Sequence, residues 1–269
     1  LPDSVLDQVV DVAADPRAHA EVAGDEHQGQ QRDRASEGAA ATRGLCFRHQ
    51  GRSVGSADRV GQGPEGIVRA RIGGVPYGVG APLVARLESD STVELCRAHP
   101  TELIARLRRN ELEAALVSSV EAVRAPGYTV VRDLGIACKH EIRSVRAFRR
   151  PGEPIRTVGL DSSSATSVAL LRLLLAGPHA ADVAADVTFA TIQPTTSPDE
   201  LPHDLVLLIG DHGLAAAAGE RQVWDMGRQW VGWTGLPFVF AVWLLRPGCD
   251  PRDVLPALRA AREHGRAMG

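Results

Sequence analysis

The sequence predicts an α/β protein with largely parallel sheets, arranged in two lobes. From residue 67 onward, short β-branched or aliphatic runs alternate with helical patterns, and strands taking turns with helices build parallel sheets that bind ligands beyond their carboxyl ends. A length of 269 residues, 44% apolar and 23% charged, allows one large or two small domains. Composition is also uneven: Phe47 is the one aromatic before residue 67, whereas Trp224, Trp230, Trp233 and Trp243 crowd into twenty residues. The folding part of the chain is therefore expected to begin near residue 67.

Residues 1–66 combine eleven Asp or Glu with seven Arg and Gly/Ser-rich text such as Gly51 to Ser56. So little apolar surface cannot offset the entropy of ordering the segment, which is expected to be disordered or an artefactual extension. Residue 1 is Leu rather than Met, which suits the second reading.

Strands are expected at residues 68–73 and 91–95, followed by a helix over residues 100–109 with Leu103, Ile104 and Leu107 on one face. Pro100 suits its first turn, and Arg106, Arg108 and Arg109 suit its negative carboxyl end. A strand over 114–117 runs straight into Ser118 and Ser119. Further strands are expected at 129–132, 144–148, 157–160, 187–191, 205–209 and 237–244. A helix over 165–175 is closed by Gly177 and Pro178.

A net charge of −3 with no long basic block gives no electrostatic reason to expect nucleic acid as a partner. The longest clean apolar run, Leu236 to Leu245, is about half the roughly 20 residues a spanning helix needs. Asp3, Asp7, Asp11 and Asp15 stand where a secretory signal would carry a positive start and an apolar middle, so export by that route is not expected. The four cysteines (46, 96, 138, 249) include no C-x-x-C pair and are expected as free thiols. No histidine pair has metal-ligand spacing, and no metal is expected.

Chemistry is best sought where strands end. Asp161-Ser162-Ser163-Ser164-Ala165-Thr166-Ser167 lies between the strand at 157–160 and the helix that follows. Unpaired N–H groups at a helix start, with adjacent hydroxyls, cradle carboxylates or phosphates. Capping alone would use one or two hydroxyls, and this stretch has five. A second hydroxyl pair, Ser118-Ser119 with Glu121, follows the strand at 114–117, and two such clusters would suit a ligand with two anionic ends. Capping of a helix from Val120 remains the other reading of that pair. Asp211, after the strand at 205–209, is placed either to orient a ligand hydroxyl or to close a turn. The Trp-rich stretch either lines a cavity or fills the core.

Several strings then resemble one family: Arg71 to Tyr77 (Arg-Ile-Gly-Gly-Val-Pro-Tyr), Glu111 to Glu121, Leu160 to Ser167, Leu207-Leu-Ile-Gly-Asp211, and Thr234-Gly-Leu-Pro-Phe-Val-Phe-Ala241. In this order, between about Ile67 and Leu245, they resemble the chorismate dehydratases of the futalosine route to menaquinone. The resemblance implies a type II periplasmic-binding-protein-like fold used as a cytoplasmic enzyme, with two α/β lobes and a central cleft. The first lobe would comprise 67–143 and 222–269, incomplete at its carboxyl end, and the second 144–221. It implies a hydro-lyase that removes water from chorismate to give 3-[(1-carboxyvinyl)oxy]benzoate, without metal or organic cofactor. Ser118, Ser119, Ser163, Ser164, Thr166 and Ser167 become the expected ligands of the two substrate carboxylates.

The chain departs from the family at two places. Val79 stands where members carry an Asn thought to assist catalysis, and His140-Glu141 replaces a Gly-Pro pair. Valine neither accepts a proton nor donates a hydrogen bond. His140 and Asp211 are then the candidate bases. The same departure leaves open a second reading, a catalytically impaired or non-catalytic small-anion-binding protein of the same fold.

Overall fold

A computed structural model describes residues 69–267; the expected extension over 1–66, with Cys46, lies outside the described residues. Two five-stranded sheets form the frame. The strands are β1 (Ala70–Gly74), β2 (Val93–Arg97), β3 (Ala114–Ser118), β4 (Thr129–Cys138), β5 (Val145–Arg149), β6 (Ile155–Asp161), β7 (Val183–Ile192), β8 (Leu205–Ile209), β9 (Gln222–Asp225) and β10 (Phe238–Leu245). The α-helices are α1 (Pro100–Arg108), α2 (Glu121–Arg124), α3 (Ala165–Ala176), α4 (Gly210–Ala215), α5 (Met226–Thr234) and α6 (Leu255–Arg266).

The first sheet has the order β2-β1-β3-β10-β4 and the second β7-β6-β8-β5-β9. In each, four strands run the same way while one strand that has crossed from the other lobe runs against its neighbours. β10 is antiparallel to both β3 and β4, and β5 to both β8 and β9. Each sheet thus holds one reversed strand among parallel ones, because a chain that crosses twice between lobes enters each sheet in reverse. Together they make the two-lobed α/β fold with a central cleft that the residues lead one to expect.

One continuous apolar core runs through both lobes. Ile72, Leu103, Leu107, Leu116 and Trp243 are fully buried in the first, and Phe148, Ile155, Leu170 and Leu171 in the second. Each such side chain contributes roughly 1.5–3 kcal/mol relative to exposure. Helix α1 packs so closely on β1 that a Cβ at Gly73 would lie 2.8 Å from the Leu103 and Leu112 side chains. At Gly74 a Cβ would lie 2.7 Å from Val84 Cγ1, so both glycines mark close approaches to the backbone of β1.

Some elements differ from the sequence reading. Strand β4 continues past Arg132 to Cys138, through Asp133-Leu134-Gly135, which reads locally as a turn. Asp133 adopts φ 69° there, and the irregular register with β10 absorbs the kink. Strand β9 and helices α5 and α6 had no counterpart in the sequence reading. Strand β9 pairs with β5 at the edge of the second sheet.

The two crossings are tied at one side chain. Asp225 caps α5 through Arg228 N (2.9 Å) and also accepts Ile142 N (3.0 Å) and Arg143 N (2.7 Å) from the segment joining β4 to β5. No helix among the described residues is long and apolar enough to cross a membrane.

Candidate active site

Between the sheets lies a cavity of about 60 Å³, walled by Val75, Val79, Leu116, Val117, Ile136, Ile142, Val145, Ile209 and Phe240. Hydroxyls interrupt this apolar wall: Tyr77, Ser118, Ser144, Ser163, Ser164 and Ser167. None of the lining residues carries a formal charge. Ligand pockets commonly measure about 300–1,000 Å³, so the sheets must part to enclose anything larger than a few water molecules. The enclosed wall is of low polarity, which strengthens any hydrogen bond made inside it.

The two hydroxyl clusters expected from the sequence do converge here. Ser118 ends β3 and is buried; its Oγ lies 3.4 Å from Ser164 Oγ on the opposite lobe. Ser164 is the N-cap of α3 and accepts both Ser167 N (3.3 Å) and Ser167 Oγ (3.1 Å). The capping reading and the site reading are thus both true of Ser164. With those acceptor positions filled, Ser164 is the donor toward Ser118. The proton of Ser118 is left uncommitted to any described partner.

Ser119 and Thr166 form a second bridge. Ser119 Oγ donates to the Val239 carbonyl at 2.7 Å, and Thr166 Oγ1 lies 3.2 Å away while accepting Val120 N at 3.1 Å. One proton per hydroxyl fixes the direction, Thr166 donating to Ser119. Both therefore latch the lobes, and neither lines the cavity itself.

Ser163 is held differently from its neighbours. Its Oγ donates to Asp161 Oδ1 at 2.6 Å and its N–H to the same oxygen at 3.0 Å, an Asx turn that ends β6. Asp161 is 1% exposed, and its other oxygen accepts Ile209 N at 3.1 Å, which joins the ends of β6 and β8.

Glu121, the third member of the first cluster, points away from the cavity. It is buried and takes a two-pronged ion pair from Arg108 of α1 (2.8 and 2.7 Å). It anchors the loop that carries Ser118 and Ser119 rather than facing a ligand.

The structure does not bring His140 to the cavity. Lys139, His140 and Glu141 face solvent at the end of β4, and the crossing segment buries Ile142 and Ser144 instead. Asp211 is exposed at the seam, where its Oδ1 accepts Gly78 N across the lobes at 3.2 Å. Its neighbour Gly210, at φ 65°, lines the cavity, and a Cβ there would meet the Tyr77 ring at 3.5 Å. Val79 lies on a 3-10 turn over Gly78–Leu83 and presents its side chain to the cavity. Of the four Trp, Trp243 and Trp224 are buried core, Trp230 is partly buried, and Trp233 is 47% exposed. None of them lines the cavity; the aromatics that do are Tyr77 and Phe240.

Tyr77, the last residue of the Arg71–Tyr77 string, is the largest polar side chain at the cavity. Its Oη lies 2.7 Å from His99 Nδ1. Burial pushes the Tyr77 hydroxyl up; the nearby Ser163 hydroxyl opposes that shift, while the Asp161 and Asp211 carboxylates reinforce it. Tyr77 therefore stays a neutral phenol at neutral pH. No string signalled its pairing with His99, which is 22 residues away.

Among the described residues there is no cluster of three His, Cys, Asp or Glu that could hold a metal ion. A family model described as menaquinone biosynthesis matches residues 70–268. A chorismate dehydratase from Thermus thermophilus is 32% identical over 223 residues, covering 71% of this chain and 78% of that protein. Protein AF1704 from Archaeoglobus fulgidus, known from its crystal structure, aligns with a TM-score of 0.56 at 15% identity, over 74% of this chain and 77% of that one. That last likeness is one of fold. The match to the family model spans both sheets and every residue at the cavity, and with the identity to the Thermus protein it shows that this chain belongs to the menaquinone biosynthesis family.

Proposed function

We propose that this protein is a chorismate dehydratase, a carbon-oxygen lyase that eliminates water from chorismate to give 3-[(1-carboxyvinyl)oxy]benzoate. The observation that carries the reading is the meeting of Ser118 with Ser164 and Ser167 at one uncharged cavity, beside the Ser119–Thr166 bridge that latches the lobes. It occurs in a chain 32% identical to a chorismate dehydratase. Chorismate carries two carboxylates, and hydroxyls backed by the N-terminus of α3 are good partners for them. With no cation in the lining, each carboxylate is held by hydrogen bonds that a charged acceptor makes about twice as strong as neutral ones.

Opening of the lobes would exchange the bridges Ser118–Ser164 and Ser119–Thr166 for contacts to substrate, and reclosure would exclude water. Aromatisation of the ring supplies the driving force, so the protein need only position a base for the ring proton and assist the departing hydroxyl. The proposed setting is the cytoplasm, and the proposed partner is chorismate alone.

The test is incubation of the purified full chain with chorismate, followed by absorbance and mass spectrometry for the aromatic product. Product formation supports the reading. Tight chorismate binding with the ligand recovered unchanged would replace it with a non-catalytic anion-binding protein.

A further inference from the structure

A second hollow lies on the outside of the first lobe, and none of the roles above uses it. It measures about 490 Å³ and opens between the end of α1, the start of β4 and the turn after β10. Leu245, the residue before Arg246, pairs with Ala114 at the start of β3, whereas Ser118 at the other end of that strand reaches the cavity between the sheets. The two sites are therefore separate. Arg108, Arg246, Asn110 and Tyr128 give the hollow its polar groups, and Leu107, Pro126 and Pro247 give it apolar sides. Two guanidiniums and no carboxylate stand in its wall. A hollow of about 330 Å³ beside the lobe crossing differs, because Glu141 and Asp225 line it together with Arg143, Arg146 and Arg228 and offset their charge.

Neither arginine is used up by its own neighbours. Arg108 grips Glu121 through Nε and Nη2, which leaves Nη1 for a ligand, and its side chain is 54% exposed. Arg246 gives Nη1 to the Pro247 carbonyl at 3.2 Å, but it comes no nearer than 3.6 Å to Glu113, and its Nε is buried without a hydrogen-bond partner among the described residues. Glu113 is already taken by the Arg71 backbone and guanidinium at 2.7 to 3.2 Å. Arg246 thus carries positive charge that no carboxylate holds closely. The carbonyls at the end of α1, which would repel an anion, are engaged: Ala105 O accepts Arg109 N and Leu107 O accepts Asn110 N.

We propose that this hollow is a regulatory site for a small organic carboxylate with a flat apolar body. Paired guanidiniums suit a carboxylate. The Tyr128 ring and the two prolines suit a ring, and the volume is that of a site for an organic ligand rather than a bare inorganic anion. The coupling to the cleft runs through Arg108. Glu121 is 1% exposed and is held by Arg108, and the loop that it anchors carries Ser118 and Ser119. An anion that shares the Arg108 guanidinium weakens its attraction for Glu121 and loosens that loop. The proposal does not rest on the chorismate reading.

The experiment is isothermal titration of the full chain with benzoate, benzyl alcohol and inorganic phosphate at constant ionic strength. Benzoate is expected to bind saturably and about tenfold or more tightly than the other two, since the alcohol lacks the charge and phosphate lacks the ring. Arg246→Gln is expected to weaken benzoate by about tenfold or more, and Ser118→Ala to leave it within about twofold. Phenylglyoxal labelling read by peptide mass spectrometry needs no variant: benzoate should slow modification of Arg108 and Arg246 by about fivefold or more, while Arg228, 73% exposed, reacts as before. Hydrogen exchange over residues 121–125 should quicken by about threefold or more with benzoate bound. Absence of saturable benzoate binding overturns the proposal. So does binding that survives Arg246→Gln or is lost with Ser118→Ala, which belongs to the cleft. Phosphate binding as tight as benzoate overturns the ligand class, and unaltered exchange at saturating benzoate overturns the regulatory role.

Discussion

Thr166 Oγ1 and Ser119 Oγ, 3.2 Å apart, join the start of α3 in one lobe to the end of β3 in the other. The contact extends a run of donors from Val120 N through both hydroxyls to the Val239 carbonyl. Thr166→Val keeps the volume and removes the donor. It is expected to raise KM for chorismate about five- to tenfold, the value of roughly one hydrogen bond, with a smaller change in kcat. Equal losses in kcat with no change in KM, read from steady-state kinetics, would contradict a latch and favour a chemical role.

Asp225 holds the two lobe crossings together, and its removal strips a helix cap and two backbone N–H partners at once. Asp225→Ala is expected to cost about 2 kcal/mol in urea unfolding. Limited trypsin digestion should also cut faster after Arg143 in the crossing segment. Asp225→Asn, which keeps an acceptor oxygen, should recover most of both.

Acid sensitivity should trace in part to Glu113. Burial pushes its carboxyl up, but the Arg71 guanidinium and backbone N–H, helped by Arg246, outweigh burial and leave it below the usual carboxylate range. A carboxylate whose pKa is lower folded than unfolded adds stability above its unfolded value, and that contribution is lost as pH falls through the folded value. Glu113→Gln is therefore expected to be less stable than wild type at pH 7, with the gap closing below about pH 4. A gap that stays constant across thermal melts from pH 7 to 3 would refute the assignment.

Cys138 is 1% exposed at the end of β4, and burial, with the Asp225 charge adding to it, pushes its thiol up to about 12. A neutral, buried thiol is a poor nucleophile. Iodoacetamide at pH 8 should therefore alkylate Cys96 and Cys249, which are partly exposed, well before Cys138 in the native protein. Peptide mass spectrometry reads the order, and unfolding in urea should erase it. Since the folded thiol titrates higher than the unfolded one, its neutral form favours folding, and this part of stability is lost as pH rises from about 9 toward 12.

The elements that the sequence announced are those whose local pattern agrees with their tertiary role. The run Leu205–Ile209 is uniformly apolar because β8 is buried throughout, and α1 shows its inward face in Leu103, Ile104 and Leu107. Where local and global signals disagree, the reading stopped short. Asp133 and Gly135 look like a turn but lie within β4, because β10 offers a long partner edge. Gln222–Asp225 is too short to announce itself and is a strand only because β5 has a free edge beside it.

For the site, the sequence by itself determined which residue types stand after each strand: hydroxyls at 118–119 and 163–167, an aspartate at 161, a valine at 79. Those follow from chain order, since a strand that ends beside a helix start leaves its next side chains at the cleft. What only the tertiary structure decided is which of them face one another. Ser119 meets Thr166 across 47 positions of sequence, Glu121 turns away to Arg108, His140 stays in solvent, and Tyr77 finds His99. These outcomes depend on how two separately built sheets close together. Hydrogen bonds form only within about 3.5 Å, and no local pattern encodes a distance between residues that the chain brings together from different lobes.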